Sequence, residues 1–337
     1  MKASGAGRGG SPARGGFLVL LKPPGMTSHD AVQFVRRVFR TRDVGHAGTL
    51  DPAAAGVLVV AVGRALKLLE FLGDAGKEYY GEVLFGRSTS TGDAEGDTTD
   101  EGDASGLPAP EVRRAMEGMV GSIQQVPPSF SAIKVAGRPV YEKARRGEAV
   151  VLPARTVRID RFELLDWFEG TPGRPAAATP RARFRVSCGK GTYVRALATD
   201  LGRAVGVPAH LGFLLRVSVG PFKLEQALAL EEVEAAAAVG EAEALLQPLV
   251  AAIPGWARAR LTSAGMEYVW HGRPVSMDRG EGGQAAWEAG GGTGRAAPDG
   301  ALVALLDPGG DLAAVGRWDA DAGLLKPTKV MALGRLS

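Results

Sequence analysis

The sequence predicts an α+β protein that ends in a separate β-rich module, and three features of its 337 residues lead to this prediction. Residues 181–188 alternate between apolar and polar, mostly basic, side chains, the pattern of a strand with one buried face. Segments with apolar residues at helical spacing are interspersed with strand-like runs, as after residue 27 and after residue 193. From residue 253 onward, short apolar runs separated by turns suit a small β-barrel or half-barrel.

The first part of the chain is an irregular arm followed by a strand and a helix. Residues 1–16 are rich in Gly, Arg, Ser and Ala and lack periodicity, so they predict a disordered arm. An apolar strand is expected from Phe17, and a pair of prolines stops it. Thr27 or Ser28 then caps a helix, because a side-chain oxygen there can accept from the free N–H groups of the first turn.

The later elements follow from periodicity and from the positions of proline and glycine. In chain order, we expect a strand over 80–85, a loop over 86–106, a helix that Pro110 starts and Gly121 ends, a strand over 157–167, an insertion loop over 169–180, the strand 181–188 and a helix that ends at Gly206. Residues 224–252 predict a helical bridge. The expected domains are therefore 17–252 and a C-terminal module, 253–337, with a Gly-rich insertion over 279–300.

Composition excludes several classes of protein. The single cysteine, Cys188, excludes an intrachain disulfide and a cysteine zinc cluster, and its place in the alternating strand predicts a packed core thiol. The longest apolar run, 53–62, is too short to cross a bilayer, and residues 1–16 lack the apolar segment of a secretory signal. A cytoplasmic protein without membrane association is expected.

Charge is segregated along the chain although the net charge is only +3. Residues 1–42, 134–161 and 181–203 are rich in Lys and Arg, whereas 93–111 and 225–243 contain acids and no bases. Basic segments of this kind indicate a polyanionic partner, because a positive field attracts phosphate backbones. Ordinary solvated faces remain the alternative explanation.

Common cofactor and metal motifs are absent from the sequence. It contains no phosphate loop, no dinucleotide-binding glycine pattern following a strand, and no nucleophile elbow. Its histidines have no metal-ligand spacing; they are His29, His46, His210 and His271. We therefore expect neither a nucleotide cofactor nor a metal.

The segment most suggestive of chemistry is GHAGTLDP, residues 45–52. Its two glycines allow unusual backbone angles and close approach of another molecule. Pro52 biases Asp51 toward an extended conformation, and the apolar run that follows places this carboxylate at the edge of the core. Asp51 could act there as a nucleophile or a base, or simply cap a turn.

Several segments closely resemble motifs of the TruB family of tRNA pseudouridine-55 synthases. GHAGTLDPAAAGVLVVAVGRALKL resembles the active-site motif of that family. In the order the family shows them, the other similar segments are KPPGMTS, KEY, TGDAEG, QQVPPSFSAIKVAGRPVYEKARRGE and CGKGTYVR. The resemblance covers roughly residues 17–255, and the number and order of the motifs make it specific. One departure is Leu215, where the family often has a second arginine.

The resemblance implies a mixed, largely antiparallel central sheet flanked by helices, with a PUA-like RNA-binding module at 253–337. It also implies isomerisation of uridine 55 in the T-loop of tRNA, by base flipping and attack of an aspartate. Matching the motifs residue by residue implies that Asp51 attacks the nucleotide, that Tyr79 stacks on the uracil and helps in proton removal, and that Arg195 pairs with the aspartate. It further implies that His46 fills the vacancy left by the base and that Tyr193 and Leu214 contact the substrate in the pocket. Lys22 would have a structural place near the substrate.

The resemblance further implies an RNA-clamping thumb over 124–150, and basic side chains there and on the alternating strand are candidate RNA contacts. They are Lys134, Arg138, Arg145, Arg146, Arg181, Arg183 and Arg185. For any one of them, a solvated surface role is an equal alternative. The expected partner is the T-arm of tRNA, bound by a monomer without cofactor, metal or guide RNA.

Three other functions were weighed. An RNA-binding or tRNA-folding factor without catalysis would use the same basic surfaces, but the presence of Asp51, Tyr79 and Arg195 together argues against it. A guide-RNA-dependent synthase is disfavoured because the chain lacks an extended basic tail. A metal-dependent hydrolase that uses Asp51 and His46 is disfavoured by the lack of other nearby ligands.

Overall fold

The computed structural model describes residues 15–128, 152–169, 179–277, 283–288 and 297–331, and the backbone alone at 134–135 and 138–139. The strands are β1 (Gly16–Lys22), β2 (Val44–His46), β3 (Ala55–Val62), β4 (Lys77–Phe85), β5 (Arg87–Thr89), β6 (Thr98–Glu101), β7 (Gly121–Gln125), β8 (Lys134–Val135), β9 (Arg138–Pro139), β10 (Arg155–Phe168), β11 (Arg181–Cys188), β12 (Ala209–Val219), β13 (Phe222–Lys223), β14 (Ala257–Leu261), β15 (Val275–Ser276), β16 (Ala285–Trp287), β17 (Leu302–Leu306), β18 (Leu312–Asp319) and β19 (Leu324–Val330). The helices are α1 (Ser28–Val38), α2 (Leu69–Gly73), α3 (Ala109–Gly118), α4 (Val194–Ala204), α5 (Leu230–Ala238) and α6 (Ser263–Trp270).

Some predicted segments lie wholly or largely outside the described residues. These are the N-terminal arm, most of the thumb with Arg145 and Arg146, the side chains of Lys134 and Arg138, and most of the insertion at 169–180.

The central sheet is mixed and largely antiparallel, which confirms the predicted fold class. Among the described strands its order is β1-β3-β12-β4-β11-β10-β7, with β2 paired to β3 and β13 paired to β12. All these pairs are antiparallel except β3 and β12, which run parallel through Ala55–Leu215 and Gly56–Arg216.

Strand β11 forms where the alternating pattern predicted it. Its apolar side chains, including Phe184 and Val186, are fully buried, and its arginines lie on the other face. Cys188 is buried at the end of the strand, and burial raises the pKa of its thiol to about 11. The thiol therefore stays protonated and packed, as predicted.

Strand β3 is apolar throughout because both of its faces are covered. On one face Leu58 and Val60 pack with α1, which begins at Thr27 with a reciprocal capping box to Asp30. On the other face Val57 and Val59 join a core shared with the C-terminal module. Helices α3 and α4 cover the adjoining sheet around β4, β10 and β11.

The C-terminal module is a six-stranded sheet in the order β15-β19-β18-β17-β14-β16 among the described strands. A bridge between Met277 and Ala285 brings its two ends together, so the sheet is nearly a barrel. It docks on the α2 region through Lys67 Nζ, which donates to Val330 O at 2.6 Å, and through a 2.7 Å ion pair between Glu70 and Lys329.

Three sequence-based expectations need correction. The segment 86–106 is not only a loop, because β5 and β6 form a hairpin within it. The bridge over 224–252 is helical only in part, with α5 followed by 3₁₀ turns. The Gly-rich insertion over 279–300 contains β16. No helix within the described ranges has the length and apolarity to span a membrane.

Candidate active site

Asp51 lies in the loop between β2 and β3, and groups from two neighbouring segments hold this loop from one side. The Ser28 hydroxyl, at the start of α1, donates to Leu50 O and accepts from Leu50 N, both at 2.9 Å. The Lys22 ammonium donates to Pro52 O at 3.2 Å and to two other carbonyls. The backbone on both sides of Asp51 is therefore fixed.

Arg216 of β12 holds the same loop from the opposite side. Its completely buried guanidinium donates to Gly48 O at 3.2 Å, Thr49 O at 3.1 Å and Val57 O at 2.8 Å. The close approach depends on Gly56, which has φ of +114° and whose added Cβ would lie 2.2 Å from Arg216 O. A buried cation bonded to carbonyl dipoles thus anchors the loop that presents Asp51.

The Asp51 carboxylate is paired with a buried arginine. Arg195, in the first turn of α4, donates from Nε to Asp51 Oδ2 at 2.8 Å, and its side chain is 7% exposed. The Asp51 side chain is 37% exposed, so one end of the pair faces open space. The charge-assisted hydrogen bond from the guanidinium fixes the orientation of the carboxylate.

A second carboxylate, Asp93, shares the same guanidinium. Its Oδ2 lies 3.6 Å from Arg195 Nε, and its side chain is 12% exposed. Arg195 Nη1 also donates to Thr91 O at 2.9 Å. Asp93 Oδ1 accepts from the Thr91 hydroxyl and from Glu95 N. These bonds fix the turn that carries Thr91 and Asp93, two of the groups that contact Arg195.

Tyr79 forms a wall of the site from the middle of the central sheet. It lies on β4 between β11 and β12, directly opposite Arg216, and is 6% exposed. Burial raises the pKa of its phenol, and the nearby Arg216 cation opposes this rise in part. The phenol is therefore neutral near pH 7 and presents an aromatic surface to the site.

Tyr193 precedes α4, and Gln125 clamps its backbone. The completely buried Gln125 side chain accepts from Tyr193 N at 2.8 Å and donates to Tyr193 O at 3.1 Å. This pair of bonds ties β7 to the segment that carries both Tyr193 and Arg195.

These groups surround a cavity of about 320 Å³, large enough for a nucleoside. Five of the predicted site residues line it, namely Asp51, Tyr79, Tyr193, Arg195 and Leu214. Lys77 and Arg155, which were not predicted as site residues, also line it. A larger cavity of about 490 Å³ lies between the central sheet and the C-terminal module, and none of the predicted site residues lines it.

Two predicted site residues lie outside this cavity lining. Lys22 is completely buried under the Asp51 loop, and its ammonium donates to three carbonyls, so its contacts among the described residues are structural. Burial lowers its pKa to about 8. His46 is the last residue of β2 and is half-buried. Burial is the main cause that lowers the pKa of its imidazole, so the ring is neutral at pH 7.

The arginines of β11 occupy the sheet face opposite Tyr79, and each is close to a carboxylate on β4. Arg185 forms a two-pronged contact with Glu78 at 3.0 and 3.1 Å. Arg181 lies 3.2 Å and Arg183 lies 3.9 Å from Glu82. These three arginines are close to carboxylates and face away from the cavity, and their contact with RNA stays a prediction.

Sequence reasoning did not single out Asp93, Arg216, Gln125 or Arg155. Asp93 lies within TGDAEG, a segment noted only as a motif, and Arg216 directly follows Leu215, the position where the sequence departs from the family pattern. A usable signal for Arg216 was a basic residue within an otherwise apolar stretch. Within the described part of the chain, no three His, Cys, Asp or Glu side chains cluster as metal ligands.

Comparison with known proteins agrees with this geometry. Residues 36–194 match the family model for the N-terminal domain of the TruB family of pseudouridylate synthases. Residues 195–253 match the model for the C-terminal domain of tRNA pseudouridylate synthase B.

Curated relatives extend the match over most of the chain. A tRNA pseudouridine synthase B of Mycolicibacterium paratuberculosis is 45% identical over 86% of this chain and 92% of its own length. One of Symbiobacterium thermophilum is 46% identical over 76% of this chain and 82% of its own length. Among solved structures, a chain of the archaeal box H/ACA sRNP Nop10-Cbf5 complex is 25% identical and superposes with a TM-score of 0.66, covering 95% of this chain and 87% of its own. These matches show a pseudouridylate synthase, and within that class the chain belongs to the TruB family.

Proposed function

We propose that this protein isomerises uridine 55 in the T-loop of tRNA to pseudouridine, with Asp51 as the attacking group. The observation that carries the proposal is the Asp51–Arg195 pair. Its guanidinium is buried, its carboxylate is open to a nucleoside-sized cavity, and Tyr79 lines the same cavity. The tRNA pseudouridine synthase B relatives support tRNA as the substrate.

The reaction breaks the N1–C1′ bond, rotates the uracil and forms a C5–C1′ bond; C5 loses its proton and N1 gains one. It is an isomerisation, so it has no net redox change. Attack at C1′, attack at C6 and elimination to a glycal all require a carboxylate beside the nucleotide while the base is free. Arg195 orients that carboxylate through its charge-assisted hydrogen bond.

The target base must leave the RNA stack to reach Asp51. Extrusion costs a few kcal/mol, which stacking on Tyr79 offsets. His46, whose imidazole lies outside the cavity lining, would fill the vacancy that the base leaves in the RNA. Tyr79, which lines the same cavity, is further proposed to assist removal of the C5 proton.

The protein is proposed to work as a cytoplasmic monomer on the T-arm, without a guide RNA. The relatives at 42–52% identity are named tRNA pseudouridine synthase B, whereas the chain from the H/ACA complex is 25% identical. The C-terminal module, 253–337, would hold the acceptor end of the tRNA, and the thumb, 124–150, would clamp the T-arm.

Release of tritium from a T-arm stem-loop labelled at C5 of its loop uridines tests the function. We expect release by the wild type in the presence of EDTA and none by Asp51→Asn, with RNA binding retained. Asp103→Asn is the control, because the bond that this exposed carboxylate makes among the described residues lies within its own turn.

The outcomes separate the alternatives. Binding without release by the folded wild type would indicate a non-catalytic RNA-binding protein. Equal release by the wild type and by Asp51→Asn would keep the enzyme class and refute the role of Asp51. Mapping of the product to a uridine other than 55 would refute the proposed position.

A further inference from the structure

The cavity beside Asp51 has an excess of positive charge. Two of the charged residues that line it, Asp51 and Arg195, form an ion pair with each other. Arg155 and Lys77 also line the cavity, and neither forms an ion pair with a carboxylate of the described residues. A uridine base is neutral, so these two cations are matched by nothing in the base itself. The sugar–phosphate backbone of a bound nucleotide supplies the missing negative charge.

Arg155 is held at the rim by contacts that leave part of its guanidinium available. Its Cζ lies 4.8 Å from the centre of the Tyr193 ring, and Nη2 donates to Gly191 O. Nη1 makes no hydrogen bond within the described residues. Gly191 has φ of +80°, and a Cβ there would lie 3.5 Å from the guanidinium carbon.

The sheet explains why Arg155 and Tyr193 meet. Arg155 on β10 is the direct cross-strand partner of Gln125 on β7. Gln125 holds the backbone of Tyr193, and Arg155 packs on its ring. The guanidinium is therefore positioned before any ligand arrives, which reduces the entropy lost on binding.

We propose that Arg155 binds a backbone phosphate next to the extruded uridine. This inference rests on the proposed function, because it takes the ligand to be an RNA whose target base lies against Tyr79. A base in that position brings its own flanking phosphates to the cavity rim. A planar guanidinium that is already oriented binds a phosphate better than a flexible ammonium does.

Arg158 provides a matched control on the same strand. Its side chain is 74% exposed and lies 2.6 Å from Asp160, so its charge is already paired. It also lies on the opposite face of β10 from the buried Val157 and Ile159. Arg158→Gln removes the same charge from the same strand without touching the cavity.

The experiment measures the affinity for a T-arm stem-loop against KCl concentration in an Asp51→Asn background, which avoids turnover. We expect Arg155→Gln to reduce the slope of log K against log[KCl] by about 0.7–0.9, the value for one phosphate contact. Arg155→Lys should keep the slope, and Arg158→Gln should leave it unchanged. An unchanged slope in Arg155→Gln would overturn the proposal and leave Arg155 as a support for Tyr193.

A methylphosphonate scan identifies the phosphate and does not depend on the effect of Arg155→Gln on folding. One neutral linkage at a time replaces the phosphates on either side of the target uridine. For one of the two linkages, we expect the neutral replacement to lower the RNA affinity of the Asp51→Asn parent protein and of its Arg155→Lys variant. The same replacement should leave the affinity of the Arg155→Gln variant unchanged. Equal losses in all three at both positions would refute the contact. Both readouts are binding constants, so a failure of tritium release would refute the proposed function separately.

Discussion

At the scale of single residues, the site depends on one guanidinium that two carboxylates share. Arg195 bonds to Asp51 and lies 3.6 Å from Asp93; the side chains of Arg195 and Asp93 are 7% and 12% exposed, whereas that of Asp51 is 37% exposed. We expect Asp93 to balance the buried cation when the charge on Asp51 changes during the proposed reaction. It also fixes the turn whose Thr91 carbonyl receives Arg195 Nη1.

Asp93→Asn should therefore slow the reaction without weakening RNA binding. We expect the single-turnover rate of tritium release to fall by roughly 10- to 100-fold, equivalent to about 1.4–2.7 kcal/mol, because Arg195 loses one of the two charges that orient it. Asp97→Asn, in the exposed part of the same hairpin, is the control. A rate equal to that of the wild type would show that Asp93 has only a structural place.

The sequence allowed Asp51, Tyr79 and Arg195 to be identified because they lie in local motifs. Asp93 and Arg216 escaped because their roles arise from contacts between distant segments. Thr91 O is 104 residues from Arg195, and Gly48 O is 168 residues from Arg216. Local spacing contains no information on such pairs. The assignment of catalytic roles to the site residues remains a prediction until the variants are measured.

At the scale of elements, the parallel pair of β3 and β12 connects the Asp51 loop to the centre of the sheet. Gly56 makes this pairing possible, since its positive φ and missing Cβ let the backbone of Arg216 approach. The loop and the strand cannot separate without breaking the bonds of the Arg216 guanidinium.

Gly56→Ala should therefore destabilise the fold by about 3 kcal/mol or more, from backbone strain and overlap with β12. Gly118→Ala, at the end of α3, is the opposite case, because a Cβ there meets nothing within 4 Å. It should stabilise the protein by about 0.5 kcal/mol. Urea unfolding followed by circular dichroism measures both changes. A Gly56→Ala protein as stable as the wild type would contradict the inferred close approach.

Patterns of burial decided which elements could be predicted. The strand at 181–188 and the helix after Thr27 were found because each has one apolar and one polar face. The hairpin of β5 and β6 was missed because β6 is exposed along its whole length and so has no apolar alternation. An acidic, Gly-rich sequence such as this one looks the same in a loop and in an exposed hairpin.

At the scale of the whole molecule, the C-terminal module is part of the structural core. Leu306 and Leu312 of the module belong to one buried cluster with Val57 and Val59 of the central sheet. The same strand, β3, leads directly out of the Asp51 loop. The boundary at residue 252 was predicted from composition, which does not reveal that apolar surfaces on both sides of it are buried together.

Leu306→Ala should destabilise the whole protein by about 2–5 kcal/mol through the cavity that it leaves. Because the core is shared, we expect one lowered thermal transition in calorimetry instead of early melting of the module alone. Leu165→Ala, at a side chain that is 45% exposed, should shift stability by less than about 0.5 kcal/mol. Two separated transitions would show that the module unfolds independently.

The bonds from Arg216 to Gly48 and Thr49 also set an order of events during synthesis of the chain. The ribosome makes the Asp51 loop early, but the side chain that anchors it follows 167 residues after Thr49, when about two thirds of the chain has been made. Until then the loop lacks its anchor on β12, and Asp51 lacks Arg195 for nearly as long. We therefore expect a chain that ends before Arg195 to carry the Asp51 motif without an assembled pocket and to lack isomerase activity on RNA.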